Sequence, residues 1–181
     1  MKKFAILGLV LAVGTGVAFA SSLGVPWFVD NQAEGAGNPA TSSGTTGLIF
    51  LKCMVDHEVI CEIAYYNAAG DYLGPNPPAN TFTIQPLSSL AFRPVSMDPG
   101  KGVTNPVTLE ETTTGGGTEG GQGVLVPDRP RDVDTKKNGS CVISWTGGPG
   151  DINGMATSYN MLIEGSAKTT MSYGHLLPAG Q

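Results

Sequence analysis

The sequence is poor in charge, in histidine and in helical periodicity. Charged residues make up 14% of the chain, and two of its 181 residues are histidine. No stretch repeats apolar residues at the three- and four-residue spacing of an amphipathic helix. No serine has the flanking glycines of a nucleophile elbow, and no glycine cluster has the lysine of a phosphate-binding loop. The sequence therefore predicts a protein without catalytic residues and without a cofactor.

Basic residues are scarcer than acidic ones. The chain has ten Lys and Arg residues against fifteen Asp and Glu, and two of the basic residues are Lys2 and Lys3. Without those two, the formal charge is −7. An acidic surface repels phosphate backbones and anionic headgroups, so we expect no nucleic-acid partner and no binding to a membrane surface.

The N-terminus has the pattern of an export signal. Two lysines precede the apolar run Phe4–Val13, and Ala18 and Ala20 are the small residues of a cleavage site. The alternative is an uncleaved anchor, but glycines and a proline between residues 14 and 26 interrupt the span that a bilayer requires. We expect residues 1–20 to be removed, no stable membrane insertion afterwards, and a periplasmic, extracellular or cell-surface location.

Glycine and proline are abundant, with 26 and 13 residues, which suits short strands joined by turns. Seven runs have the length and composition of strands, and no run favours a helix. The prediction is an all-β, antiparallel, immunoglobulin-like β-sandwich of about seven strands over residues 47–181. A long glycine-rich insertion is expected at about 96–139. The predicted strands are 48–54, 59–66, 81–85, 89–95, 140–146, 155–163 and 168–175.

Residues 21–46 are rich in glycine and small polar residues and are predicted to form an extended lead-in. Its apolar cluster contains Trp27 and Phe28, and leaving these side chains exposed to water forfeits the free energy gained by burying them. This segment is expected to dock as a short strand on its own domain. The alternative is an assembly segment that adds a strand to a neighbouring molecule.

The three cysteines raise the question of a disulfide in an exported protein. Val55–Glu58 has the length of a hairpin connection, and a turn about His57 would place Cys53 opposite Cys61. A cross-strand Cys53–Cys61 bridge is the favoured interpretation. A link from either of them to Cys141, or three free buried thiols, are the alternatives.

The candidate metal ligands do not form a convincing set. His57 follows Cys53 and Met54, but copper sites need a second histidine at a suitable spacing. Asp132 and Asp134 resemble the start of a calcium loop, but lysines follow where a third oxygen ligand is needed. No metal site is predicted.

Two tyrosines are candidates for a ligand platform. Tyr65 and Tyr66 are adjacent in a predicted strand, so one of them must face away from the core. Tyr66 together with Tyr72 could stack on a sugar ring, and ordinary cross-strand packing is the alternative.

Several segments resemble bacterial secreted β-sandwich modules of immunoglobulin-like type. The most distinctive is the sequence Tyr65-x-Asn67-x-x-Gly70, at the end of a strand and its turn. The resemblance implies a sandwich fold and export, and it implies no active site. The segments that carry it are Gly47–Lys52, Cys61–Gly70, Asn80–Ile84 and Phe92–Val95.

The leading hypothesis is a non-catalytic secreted or cell-envelope protein that acts in structural assembly or surface binding. Its expected partners are an envelope protein, a polysaccharide or further copies of itself. A carbohydrate-binding module is the second hypothesis, and a small metal or redox protein is the third.

Overall fold

A computed structural model of the chain describes residues 20–31, 43–95, 126–165 and 167–178. Those residues form nine β-strands and no helix. The predicted signal up to residue 19 and residues 96–125 of the predicted insertion lie outside the described residues. The strands are β1 (Ala20–Val29), β2 (Gly44–Cys53), β3 (Val59–Tyr66), β4 (Tyr72–Gly74), β5 (Thr81–Ile84), β6 (Ser89–Phe92), β7 (Asn138–Thr146), β8 (Ile152–Glu164) and β9 (Ala167–Leu177).

The strands form two antiparallel sheets, which confirms the all-β prediction. In sheet A the order is β1-β7-β3, and the far edge of β3 pairs with β4 at one end and with β5 at the other. In sheet B the order is β6-β2-β8-β9. The described residues contain nine strands where about seven were predicted. The two additional strands are β1 and the three-residue β4, both in segments rich in glycine or proline.

The hydrophobic core is formed by alternate side chains of the strands, which point to the same side of each sheet. In β3 the side chains of Val59, Cys61, Ile63 and Tyr65 are buried, as expected when alternate residues face one side of a sheet. The intervening Ile60 is 60% exposed. Of the two adjacent tyrosines of this strand, Tyr65 is therefore the one that faces the core.

The two sheets share one hydrophobic core. Phe82 of sheet A and Phe92 of sheet B meet there with ring centroids 6.4 Å apart. Trp145 is buried beneath the turn that leaves β7, and its indole N–H donates a hydrogen bond of 3.0 Å to the carbonyl of Gly148. The core includes Leu23, Val25, Phe28, Ile49, Leu51, Cys53, Cys61, Ile63, Tyr65, Ile84, Leu90, Cys141, Ile143 and Ile152.

The predicted hairpin between the second and third strands is wrong. β2 pairs with β6 and β8 in sheet B, whereas β3 pairs with β4, β5 and β7 in sheet A. Val55–Glu58 therefore belongs to a connection between the sheets. The short connection between β5 and β6 also crosses between the sheets, since β5 pairs with β3 and β6 pairs with β2. A connection of a few residues can turn within a sheet or cross to the facing one, and the alternation along the strands is the same in both cases.

The segment predicted as a lead-in contains β1, which pairs with β7 of the same chain from Ala20↔Thr146 to Val29↔Asn138. The register shifts between Val25 and Phe28. Pro26 lies inside that irregularity, where its missing N–H costs no ladder hydrogen bond. The chain thus supplies this edge of sheet A itself.

A buried ion pair follows directly on β1. The carboxylate of Asp30 accepts hydrogen bonds from Arg93, at 3.2 Å from Nε and 2.5 Å from Nη2. The side chains of Asp30 and Arg93 are 0% and 2% exposed. Next to Arg93, the carbonyl of Pro94 accepts a hydrogen bond of 2.8 Å from the N–H of Arg129. The flanks of residues 96–125 are therefore fixed beside each other.

Candidate functional site

An apolar row crosses the outer face of sheet B. Phe50 of β2 lies opposite Ala91 of β6 on one side and Met155 of β8 on the other. Met155 in turn lies opposite Leu176 of β9. Residues directly opposite one another on neighbouring strands point to the same side, so one apolar row spans all four strands of the sheet.

The row forms the floor of a groove of about 460 Å³. Leu176 lies at its end, on the edge strand, and is 79% exposed. Among the described residues β9 pairs with β8 and with no other strand, so its outer backbone groups are open to a further strand. The groove is lined by Phe50, Leu51, Lys52, Ser89, Leu90, Ala91, Asn153, Gly154, Met155 and Leu176.

Lys52 does not place its charge in the groove. Its ammonium group donates a hydrogen bond to the carbonyl of Leu87, in the turn that precedes β6. The aliphatic part of such a side chain can cover apolar surface while its charged end is held elsewhere. The groove therefore offers an apolar floor and no free cation from this residue.

The predicted ligand platform is brought together by the structure. Tyr66 and Tyr72 lie opposite each other on β3 and β4, and their ring centroids are 5.8 Å apart. Tyr72 is 46% exposed. Its hydroxyl donates a hydrogen bond of 2.6 Å to the carbonyl of Pro75, which fixes the ring at the surface.

A cleft of about 270 Å³ adjoins Tyr72. It combines one aromatic wall with carboxylate and amide groups, a combination suited to the hydroxyl groups and apolar faces of a sugar. Asn67 donates a hydrogen bond of 2.9 Å to Asp71 within it. The cleft is lined by Asn67, Asp71, Tyr72, Leu73, Pro130, Asp132, Val133 and Asp134.

Asp134 is held ionised at the rim of this cleft. The N–H of Lys136 donates to its carboxylate at 2.9 Å, and Arg129 lies 3.1 Å away. The Lys136 N–H, followed by the charge of Arg129, lowers the pKa of Asp134 below its usual value. Arg129 itself is buried, and burial lowers the pKa of its guanidinium. Asp134 thus supports the segment that leads into β7.

A second groove, of about 420 Å³, lies on the outer face of sheet A and gathers His57, Glu58, Glu62 and Ser144. Nδ1 of His57 is 3.6 Å from the exposed carboxylate of Asp56. Across the described ranges, no three His, Cys, Asp or Glu residues are placed to hold a metal ion. Asp132 and Asp134 lie within those ranges.

The cysteines are all buried free thiols, Cys53 in sheet B and both others in sheet A. On β7, Cys141 lies opposite Tyr65, and Trp145 lies opposite Cys61. A separation of four residues along the sheet is about 13 Å, well beyond the 7 Å that a disulfide spans between its α-carbons. The alternative link between Cys61 and Cys141 does not fit this fold.

The predicted assembly segment divides between surface and core. Trp27 is 45% exposed, whereas Phe28 is 5% exposed and packs edge-on against Tyr65 at 6.0 Å. Phe28 therefore belongs to the core of its own domain, and Trp27 remains at the surface. In the part of the chain that the structure describes, no helix is long and apolar enough to cross a bilayer.

Sequence reasoning missed the apolar row and the buried ion pair. Two members of the row, Phe50 and Met155, were recognisable as apolar residues at positions that alternate with the core, whereas the row itself depends on the register of all four strands. The ion pair was signalled by Arg93 within an otherwise apolar stretch, where a charge that folds inward needs a buried partner.

Comparisons with known proteins assign no family. No family model matches the chain, and no curated protein matches it. Among solved structures, the chain is similar to that described as "Crystal Structure of Thermotoga maritima 1070", with 8% sequence identity and a TM-score of 0.46. The alignment covers 89% of this chain and 97% of that one.

Proposed function

We propose that this is a non-catalytic, exported, immunoglobulin-like β-sandwich that assembles with further copies of itself in the cell envelope. The observation that carries the proposal is the apolar row Ala91-Phe50-Met155-Leu176, which ends in a highly exposed leucine on an unpaired edge strand. Export is supported by the N-terminal sequence pattern.

A second copy is the partner that best matches this surface. If two β9 strands pair antiparallel about a twofold axis, the two copies of sheet B become one sheet. With the twofold axis beside Leu176, the last residues of the two β9 strands pair and the apolar row continues across the junction. The unpaired backbone groups of β9 gain partners, and burying each Leu176 contributes about 2 kcal/mol.

The test is the association state of the mature chain over a wide concentration range, measured by sedimentation. The wild type is expected to form dimers or larger species, and Leu176→Asp is expected to shift the equilibrium to monomer. Ile60→Asp is the matched control, since Ile60 is similarly exposed but lies on sheet A. A wild-type chain that stays monomeric at high concentration and binds no envelope fraction would contradict the proposal.

Carbohydrate binding is the second candidate, and the observation that favours it is the packed Tyr66–Tyr72 pair beside a polar cleft. Sugar rings stack on exposed aromatic side chains. Carboxylates accept hydrogen bonds from the sugar hydroxyl groups, and amides both accept from and donate to them. The ligand class is therefore a neutral polysaccharide of the envelope.

This candidate is tested by retention of the protein on insoluble polysaccharides. Tyr72→Ala is expected to abolish retention, and Tyr159→Ala, on sheet B, should leave it unchanged. An unmodified protein that no polysaccharide retains would exclude this function.

A further inference from the structure

Two of the three thiols lie at one end of the core, on facing sheets. Cys53 is the last residue of β2 in sheet B, and Cys61 is the third residue of β3 in sheet A. Both side chains are 0% exposed and belong to the same core. Only residues 54–58 separate the two strands, so the chain crosses between the sheets immediately beside the two cysteines.

The position of the Cys53 sulfur indicates that Cys53 lies close to Cys61. It lies 3.5 Å from the carbonyl oxygen of Val55 and 3.6 Å from that of His57, so it contacts the connection that leads to β3. The sulfur of Cys61 lies 3.9 Å from the carbonyl oxygen of Val59, at the start of the same strand. Both sulfurs therefore lie against one short stretch of backbone.

We propose that Cys53 and Cys61 form a disulfide that joins the two sheets, and that Cys141 remains a thiol. The oxidant is a disulfide of another molecule, such as a thiol-disulfide oxidoreductase or a glutathione disulfide. A thiolate of the pair attacks that disulfide and releases one thiol of the oxidant, which leaves a mixed disulfide. The second cysteine then attacks the mixed disulfide and displaces the other thiol of the oxidant. Both cysteines lose their protons and together two electrons, and the oxidant leaves as two thiols.

The bond forms while the chain folds, because the closed core suppresses the thiolate form of Cys61 and shields both buried sulfurs from the oxidant. Burial, and to a smaller extent the neighbouring Cys53, raises the pKa of the Cys61 thiol to about 12. Burial also raises the pKa of Cys141. A thiol that stays protonated is a poor nucleophile, so the folded, reduced protein resists oxidation. Both sulfurs are buried, so an external thiolate cannot reach the bridge and the folded, bridged protein resists reduction.

Cys141 has no partner within reach. It lies on β7 opposite Tyr65, about 13 Å along the sheet from the position opposite Cys61. Cys53 lies at the Cys61 end of the core, since it closes the strand that leads into the crossing. Of the three possible cysteine pairs, Cys53 and Cys61 are therefore the pair that forms the bridge.

The experiment uses the full mature chain and does not depend on its assembly or ligand. The denatured, reduced protein is refolded in a glutathione redox buffer, alkylated in denaturant, digested and analysed by mass spectrometry. We expect one alkylated cysteine, at Cys141, and a linked pair of peptides that contain Cys53 and Cys61. Cys141→Ala should form the same bridge, and Cys53→Ala should leave Cys61 alkylated.

A second arm adds the same oxidant to protein that is already folded and reduced. Bridge formation should be many-fold slower than during refolding and should accelerate in mild denaturant. Three alkylated cysteines after oxidative refolding, or a bridge that contains Cys141, would overturn the proposal. Equal oxidation rates in the two arms would refute its statement that the bond forms during folding.

Discussion

The buried pair of Asp30 and Arg93 allows a quantitative prediction for stability. Asp30→Ala removes the carboxylate and leaves the guanidinium of Arg93, 2% exposed, without that counter-charge. Removing one partner of a buried ion pair destabilises a protein by about 3–5 kcal/mol. A domain is held folded by roughly 5–15 kcal/mol, so the loss is about a fifth of the stability or more, and this variant is expected to unfold at a clearly lower urea concentration than the wild type.

Asp30→Asn should lie between the wild type and Asp30→Ala. Asparagine keeps the size of the side chain and one oxygen acceptor but loses the charge, and a hydrogen bond to a charged group contributes about 1.5–3 kcal/mol. The double variant Asp30→Leu/Arg93→Met removes both charges, and we expect it to recover much of the loss because neither charge of this pair remains in the core.

The assay is equilibrium unfolding in urea, followed by tryptophan fluorescence, since Trp145 is buried in the core. Asp132→Asn is the control, because Asp132 is exposed, and substitutions at such positions change stability by less than about 0.5 kcal/mol. The reasoning is refuted if Asp30→Asn matches this control, or if the double variant loses the sum of the two single losses.

Three further predictions concern single positions. Gly139→Ala is expected to destabilise the protein by about 1–3 kcal/mol, because Gly139 has φ of +153° and an added Cβ would lie 2.5 Å from the carbonyl oxygen of Tyr66. Gly24→Ala is the control, since nothing lies within 4 Å of a Cβ added there. Equal unfolding midpoints of the two variants would contradict the argument. Asp134 has a lowered pKa in the folded state, so its stabilising effect is present above its unfolded pKa and is lost as the pH falls through its folded pKa. Asp134→Asn should therefore lose less stability on acidification than the wild type does. Thermal unfolding from neutral to acidic pH measures this difference. Tyr65→Phe removes the donor of a 2.8 Å hydrogen bond to a carbonyl of the segment before β7 and is expected to lower the free energy of unfolding by about 1 kcal/mol, whereas an unchanged value would show that this bond contributes nothing net.

The sequence predicts the strands of this fold better than their partners. Alternation identifies the core face of β3, because Cys61, Ile63 and Tyr65 must point to one side of a strand, and the structure confirms it. The pairing of strands depends on contacts between distant residues. Val55–Glu58 has the length of a hairpin connection, yet this segment crosses between the sheets. The expectation that Cys53 lies near Cys61 assumed a hairpin, and the structure contains no hairpin at this point.

The expected docking of the Trp27–Phe28 segment on its own domain is confirmed by β1, but the strand runs from Ala20 to Val29, and this greater length shows a second limit. β1 contains Gly24 and Pro26, which weaken any local strand signal, and its ladder depends on β7, whose residues lie more than a hundred positions later. The juxtaposition of Tyr66 and Tyr72 was foreseen from their nearness in sequence. The apolar row was not, because it requires the register of four strands, which no local pattern supplies.

The long-range pairing of both sheets has a consequence for the order of folding. The ladder of β1 with β7 begins at Ala20↔Thr146, and that of β2 with β8 begins at Gly44↔Met161. Neither sheet can close until nearly the whole polypeptide has been synthesised. Such a topology has a high contact order and folds slowly, so an N-terminal fragment ending at β6 has no partner for β1. If the chain is exported as proposed, late closure of the sheets keeps it unfolded, and so able to pass through a translocation pore, until its last strands have been synthesised.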